Sequence, residues 1–331
     1  MVENKGVLVY CETVDDKLAS ISMELMGAGN RLSKELGQDL NAVLIGSNIS
    51  ELASEVIAYG AKKVYIVDDP LLKDYVTDAY LQVMDKIIRK TLPQIVLLGQ
   101  TQIGRDLTPR LAFRLNTAAI MDCIALDIDP ATNRILMTKP VYGGNALAVH
   151  VCECEPQIAT IRSKVMSPPA KDVNNRGEIV IIPAGIDQAS VRTRILDRKV
   201  ETSAKIKLED AQVIVTGGRG IGGPDGFKQL EELANILKGV VGATRPPCDN
   251  KWVPDTMQIG LTGKIVSPEL YIAVALSGSS QHISGCSGSK TIVAINKDPD
   301  ANIFKVAHYG IIADWKKVLP VFINKVKQLR G

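Results

Sequence analysis

The stretch AQVIVTGGRGIGGPDGFKQLEELANILKG, residues 211–239, decides how half of the chain folds. It begins with a short β-branched run, passes through the glycine pattern GRGIGG at 218–223, and continues with apolar residues at helical spacing. Strand, glycine turn and helix in that order open a parallel α/β unit. G-x-G-x-x-G at such a turn suggests a dinucleotide cradle. A nicotinamide site of that kind also needs an acid at the end of the next strand, and VVGATRPP offers Arg245 there instead. What remains is a turn whose glycines either let backbone N–H groups approach a phosphate or serve only to reverse the chain.

Further strands follow at VGATR, LYIAVA, KTIVAIN and FKVAHYGIIAD, and a helix from about residue 315 to 329 closes the chain. Between them lie GATRPP (242–247), QIGLTGK (258–264) and SGSSQHISG (277–285). The first and third directly follow strands, where ligands collect in parallel α/β sheets. Loops converging there imply one elongated ligand. Serine, threonine and backbone donors suit a pyrophosphate, while a glutamine, a histidine and an arginine can address the oxygens and nitrogens of a heterocycle.

Working toward the N-terminus, GVLVYC, LNAVLIG, KVYIVD and QIVLLGQ are short apolar runs, each followed by a helical pattern, near 17–36, 50–59, 75–90 and 104–115. This alternation implies a mostly parallel sheet covered on both faces. From 134 to 162 the pattern changes to consecutive strands, RILMTKPV, ALAVHVC and QIATIR, with YGGN as a turn, which reads as an antiparallel addition to that sheet. From 163 to about 205 only EIVIIPAG is clearly strand-like. The expected fold is α/β with two doubly wound domains, residues 1–205 and 206–331, the second Rossmann-like. A length of 331 residues agrees with two cores.

Lys and Arg number 39 against 36 Asp and Glu, interspersed, which argues against nucleic-acid binding by a basic stripe. The six cysteines lie scattered and no signal peptide precedes them, so reduced thiols in a cytoplasmic protein are expected. Cys152 and Cys154 have no second pair at zinc spacing, and no metal is expected. No apolar run approaches the roughly 18 residues of a membrane span.

The motifs QIGLTGKIVSPELYIAVALSGSSQHISG, SKTIVAINKDPDANIFKVA and YGIIADWKKVLP closely resemble the flavin-binding half of electron-transfer flavoprotein α subunits. GRDLTPRLA and KPVYGGNA extend the resemblance over nearly the whole chain, and IGRDL with LMTKPVYGGN is most similar to α subunits of anaerobic bacteria, several of which bifurcate electrons. The resemblance implies FAD in the second domain, contacted by Arg219, Thr244, Arg245, Ile259, Gly260, Leu261 and Thr262, by Ser277, Gly278, Ser279, Ser280, Gln281 and His282, and by Asn296 and Asp314. It implies that Arg245 lies over the ring and that the Thr262 hydroxyl points toward N5. Ser277, Ser279, Ser280 and their loop amides would hold the pyrophosphate, with Asn296 and Asp314 on the adenosine side. His282 would face N1 and the C2 carbonyl, where a reduced flavin gains negative charge and a hydrogen donor favours it.

The pattern is departed from at Leu261, where glutamine is common, at Ala275, where glycine is usual, at Ser279 and Ser280, where Ala-Ile is usual, and at His308, where aspartate is common. The resemblance further implies a heterodimer with a β subunit, an electron carrier without a substrate of its own, and exchange with flavin-dependent dehydrogenases of the acyl-CoA dehydrogenase type. A complex that oxidises NADH at a second flavin in the partner is the alternative within the family. From other classes, a nucleotide-binding signalling module would be colourless, and an NAD-dependent dehydrogenase lacks the acid noted above.

Overall fold

A computed structural model describes residues 4–144, 146–197 and 207–330. They form two compact units, one of residues 1–140 with 147–199 and the other of 141–146 with 200–331. The expected boundary at 205/206 lies outside the described residues.

In the first unit the apolar runs become parallel strands β1 (Val7–Cys11), β2 (Leu40–Gly46), β3 (Lys63–Asp68) and β4 (Ile95–Gly99). Between them lie α1 (Ser20–Leu36), α2 (Ala53–Ala58) and α3 (Thr77–Thr91), and α4 (Gln102–Arg114) follows β4. The sheet is completed by β5 (Ala119–Cys123), β9 (Gln157–Ile161) and β10 (Glu178–Ile181), in the order β10-β3-β2-β1-β4-β9-β5. Along β1, Val7, Val9 and Cys11 enter one buried cluster while Leu8 and Tyr10 enter the other, so the sheet is covered on both faces.

Two expectations change here. The segment QIATIR is β9, parallel to both β4 and β5 inside the main sheet, and all five of its residues are buried. Burial on both faces removes the alternation that distinguishes an antiparallel strand, and its position after a hairpin suggested the wrong neighbour. The antiparallel addition is instead a separate three-stranded sheet of β6 (Ala125–Ile128), β7 (Ile135–Val141) and β8 (Ala146–His150), in the order β8-β7-β6. α1 also begins at Ser20 rather than 17, because Lys17 and Leu18 pair with Thr13 and Val14 in a short ribbon.

The second unit is a five-stranded parallel sheet of β11 (Val213–Gly217), β12 (Val240–Ala243), β13 (Leu270–Val274), β14 (Thr291–Asn296) and β15 (Tyr309–Ile312), ordered β12-β11-β13-β14-β15. Its helices are α5 (Pro224–Ile236), α6 (Arg245–Asp249), α7 (Ser280–Cys286) and α8 (Trp315–Arg330). The segment FKVAHYGIIAD is strand only in its second half, since Asn302–Lys305 forms a 3-10 turn. α5 and α8 pack on one face through Phe227, Leu230, Trp315 and Leu319. Tyr271, Ala273 and Ala294 face the other side with Ile259 and Cys286. No helix among the described residues is long and apolar enough to cross a membrane.

Candidate functional site

The chain leaves β11 toward β12 on one side and later returns as β13 on the other, so the carboxyl ends of β11 and β13 form the switch point where parallel sheets open a crevice. The GRGIGG turn lies there, but most of its amides are engaged within the protein. Gly218 N–H donates to the Val274 carbonyl at 3.0 Å, Gly220 N–H to that of Ala275 at 3.1 Å, and Gly222 N–H to that of Arg219 at 3.2 Å. A Cβ on Gly218 would stand 2.4 Å from Leu276 Cβ, so glycine is needed for close approach of the two strand ends. The turn clasps β11 to β13, and Trp315 Nε1 adds a bond to the Gly220 carbonyl at 3.1 Å. Among the described residues, the N–H groups of Arg219 and Gly223 have no backbone acceptor, and they and the exposed Arg219 side chain are what the turn leaves for a ligand.

The loop after β13 has the opposite character. Among the described residues, no backbone carbonyl accepts the N–H groups of Gly278, Ser279, Ser280 or Gln281. The side chains of Ser277, Ser279, Ser280 and Gln281 are exposed. Asn296, at the end of β14, does not point outward as an adenosine contact would. It is 8% exposed, its Nδ2 donates to the Leu276 carbonyl at 2.9 Å, and its Oδ1 accepts from Asp298 N–H at 3.1 Å. Its side chain holds the start of the donor loop. Asp314 is exposed and caps α8, accepting from Lys316 N–H at 3.0 Å.

Residues 258–264 form a tight turn beside this loop. Ile259 N–H donates to the Ala243 carbonyl, Gly260 N–H to that of Lys264, and Leu261 N–H to that of Gln281 at 2.8 Å. Gly260 has φ +146°, and a Cβ there would sit 3.0 Å from the Gln281 carbonyl oxygen. Thr262 is exposed and accepts from Gln258 Nε2 at 2.9 Å, which leaves its own O–H to donate. Leu261 is 59% exposed, so the residue that departs from the family pattern lies on the surface. Thr244 is buried at the start of α6, its N–H on the Gly217 carbonyl, and the exposed Arg245 pairs with Asp249 at 3.3 Å. Arg245 and Thr262 line one depression of about 360 Å³, together with Asp249, Lys251, Asp255 and Gln258.

His282 is placed differently from its expected role. It is 4% exposed, with Nδ1 3.0 Å from the Ile259 carbonyl oxygen and Nε2 3.0 Å from the Tyr271 hydroxyl. Burial pushes its pKa down to about 4, against a smaller opposing effect of the Ile259 carbonyl, so the ring is neutral near pH 7. A carbonyl only accepts, so the single ring proton sits on Nδ1 and Nε2 accepts from Tyr271. No ring N–H remains for a ligand.

Thus the loops carrying Arg219, Thr244, Arg245, residues 259–262 and 277–282, Asn296 and Asp314 converge at one edge of the sheet. Within that set, Asn296 and His282 act on neighbouring backbone. Gln258, Tyr271 and Trp315 were not legible as site residues. The one available signal was for Tyr271, since a tyrosine in a fully buried strand must find a partner for its hydroxyl.

Comparison with known proteins bears on what these loops hold. A family profile described as the electron transfer flavoprotein domain matches residues 7–186, and one described as the electron transfer flavoprotein FAD-binding domain matches residues 207–287. The electron transfer flavoprotein subunit alpha of Thermoanaerobacterium thermosaccharolyticum is 44% identical over 331 residues, covering 100% of both chains. That of Megasphaera elsdenii is 41% identical, covering 100% of this chain and 99% of the relative. The acryloyl-CoA reductase electron transfer subunit beta of Anaerotignum propionicum is 35% identical, covering 98% and 96%. With both profiles and full-length relatives in agreement, the chain belongs to the electron transfer flavoprotein family, among its α subunits.

Proposed function

We propose that the chain binds one FAD at the carboxyl edge of its second sheet and, paired with a β subunit, carries electrons between a flavin-dependent dehydrogenase and a further acceptor. The observation that carries this reading is the loop at 277–281. It presents four successive backbone donors without a backbone acceptor among the described residues, flanked by exposed serines, as a pyrophosphate requires. The adjoining donor set fits the rest of the group. Thr262 has a free O–H, Arg245 a permanently charged and exposed guanidinium, and both border one depression. Bound there, the flavin supplies reversible one- and two-electron chemistry. The protein's part is to hold it, to place Arg245 and Thr262 against the ring, and to fix the turn at 258–264 that carries Thr262.

The name of the Anaerotignum relative favours a partner of the acyl-CoA type. A second reading, in which NADH is oxidised at another flavin in the β subunit, rests on the similarity to α subunits of anaerobes and concerns mainly the partner. Co-purification with the β subunit tests both. A yellow heterodimer that releases FAD on denaturation and bleaches with an acyl-CoA dehydrogenase and its substrate is the expected outcome. Bleaching by NADH alone would favour the second reading, and a colourless heterodimer would refute both.

A further inference from the structure

We propose that Tyr271 is a positioning residue of the flavin site, acting through His282 and the Ile259 carbonyl; the inference rests on the flavin reading above. Tyr271 lies on β13, the central strand of the second sheet, and is fully buried. Burial holds its hydroxyl protonated, with a pKa well above the ordinary value. A neutral imidazole has one donor and one acceptor. The Ile259 carbonyl takes the donor, at 3.0 Å, so the Tyr271 O–H is the group that supplies the acceptor, also at 3.0 Å.

The carbonyl, which can only accept, selects which ring nitrogen carries the proton, and the hydroxyl donates to the nitrogen left over. That choice fixes the Ile259 carbonyl, and the next three residues are Gly260, Leu261 and Thr262. The same turn is tied to α7 from its other side, by Leu261 N–H on the Gln281 carbonyl and Val266 N–H on that of Gly285. The turn bearing Thr262 is thus anchored to the sheet through Tyr271 and to the donor loop through α7. Without the hydroxyl, Nε2 is left as a buried acceptor without a donor while Nδ1–H still faces the Ile259 carbonyl, so the ring keeps its tautomer but loses its tie to the sheet.

The chain has three histidines, which makes the tautomer directly readable. His308 serves as an internal contrast, because its Nδ1 accepts from Ile292 N–H at 3.0 Å and its proton, in the neutral ring, is on Nε2. Long-range proton–nitrogen correlation on the histidine-labelled heterodimer is expected to show His282 protonated on Nδ1 and His308 on Nε2. In Tyr271→Phe, His282 should keep its Nδ1 proton while its Nε2 signal moves to that of a ring nitrogen without a hydrogen bond, and the signals of His308 stay in place. The FAD dissociation constant should rise by about tenfold, the effect of one lost bond to a buried acceptor, and the flavin absorption bands should move with it. Wild-type His282 protonated on Nε2 would overturn the proposal without any variant. So would a folded, yellow Tyr271→Phe heterodimer with an unchanged His282 Nε2 signal, FAD affinity and spectrum. A wild-type heterodimer that binds no flavin would remove the flavin reading itself, whatever the tautomer, so the two failures are distinguishable.

Discussion

The side-chain amide of Asn296 donates to the Leu276 carbonyl at 2.9 Å, joining the end of β14 to the first residue after Ala275 in the neighbouring loop. Both partners are buried, and the same side chain accepts from Asp298 N–H. Asn296→Ala leaves that carbonyl without its donor and should destabilise the second unit by about 2 kcal/mol. Asn296→Asp keeps the acceptor for Asp298 but can donate nothing to Leu276, and should be no better than Ala. Urea unfolding of the three proteins checks the first statement. Flavin remaining after gel filtration checks that the donor loop loosens with it.

Ala275 stands in the left-handed region at φ +51°, at the position where the family usually has glycine. A residue with a Cβ is strained there, while glycine is not. Ala275→Gly should stabilise the protein by about 0.5 to 1 kcal/mol, the relief of strain less the greater entropy of an unfolded glycine. An unfolding midpoint that falls in this variant would show that the alanine methyl contributes packing that outweighs its strain.

His282→Ala separates two accounts of this residue. A direct donor to the flavin, once removed, would lower the reduction potential and leave binding intact. The buried arrangement predicts instead that the Ile259 carbonyl and the Tyr271 hydroxyl both lose their partner, with a cost of about 2 to 4 kcal/mol in stability and weakened FAD retention. Flavin content after dilution and a dye-linked redox titration of the heterodimer tell them apart.

Glu12, just beyond β1, is 5% exposed and hydrogen-bonded to the Thr101 hydroxyl at 2.7 Å. Burial raises its pKa from 4.5 to about 7, with the Thr101 bond opposing. Below pH 4.5 the carboxyl is protonated in both folded and unfolded chains. As pH rises from 4.5 through 7, the unfolded chain ionises first and stability falls. Glu12→Gln, which keeps an acceptor for Thr101, should therefore match the natural protein near pH 4.5 and exceed it at pH 8 by up to about 3 kcal/mol. A pH-independent difference between the two would contradict this origin.

The strands of both units were legible because β-branched runs such as LNAVLIG and KTIVAIN alternate with helical spacing. The partners of those strands were not. QIATIR follows a hairpin in sequence yet enters the parallel sheet, a choice made by burial on two faces rather than by local pattern. At the site, the donor loop was legible from its serines and glycines. The role of GRGIGG was not, because the carbonyls that take its amides belong to Val274 and Ala275, far along the chain. His282 stood out by its rarity, but its partner Tyr271 sits in an apolar run where a hydroxyl gives no periodic signal. The departure at 308 has a simple reading in the structure: His308 Nδ1 accepts the Ile292 N–H, as an aspartate oxygen could.

Hydrogen exchange of the heterodimer, stripped of flavin and then resupplied with FAD, measures where the cofactor is held. The four N–H groups at 278–281 have no backbone acceptor among the described residues, so a bound pyrophosphate should slow their exchange strongly, together with that of residues 259–262. Protection of these two segments on adding FAD, with residues 7–186 unchanged, is the predicted result. Protection confined to the first unit, or to the β subunit with 278–281 still exchanging freely, would contradict a flavin site on the carboxyl edge of the second sheet.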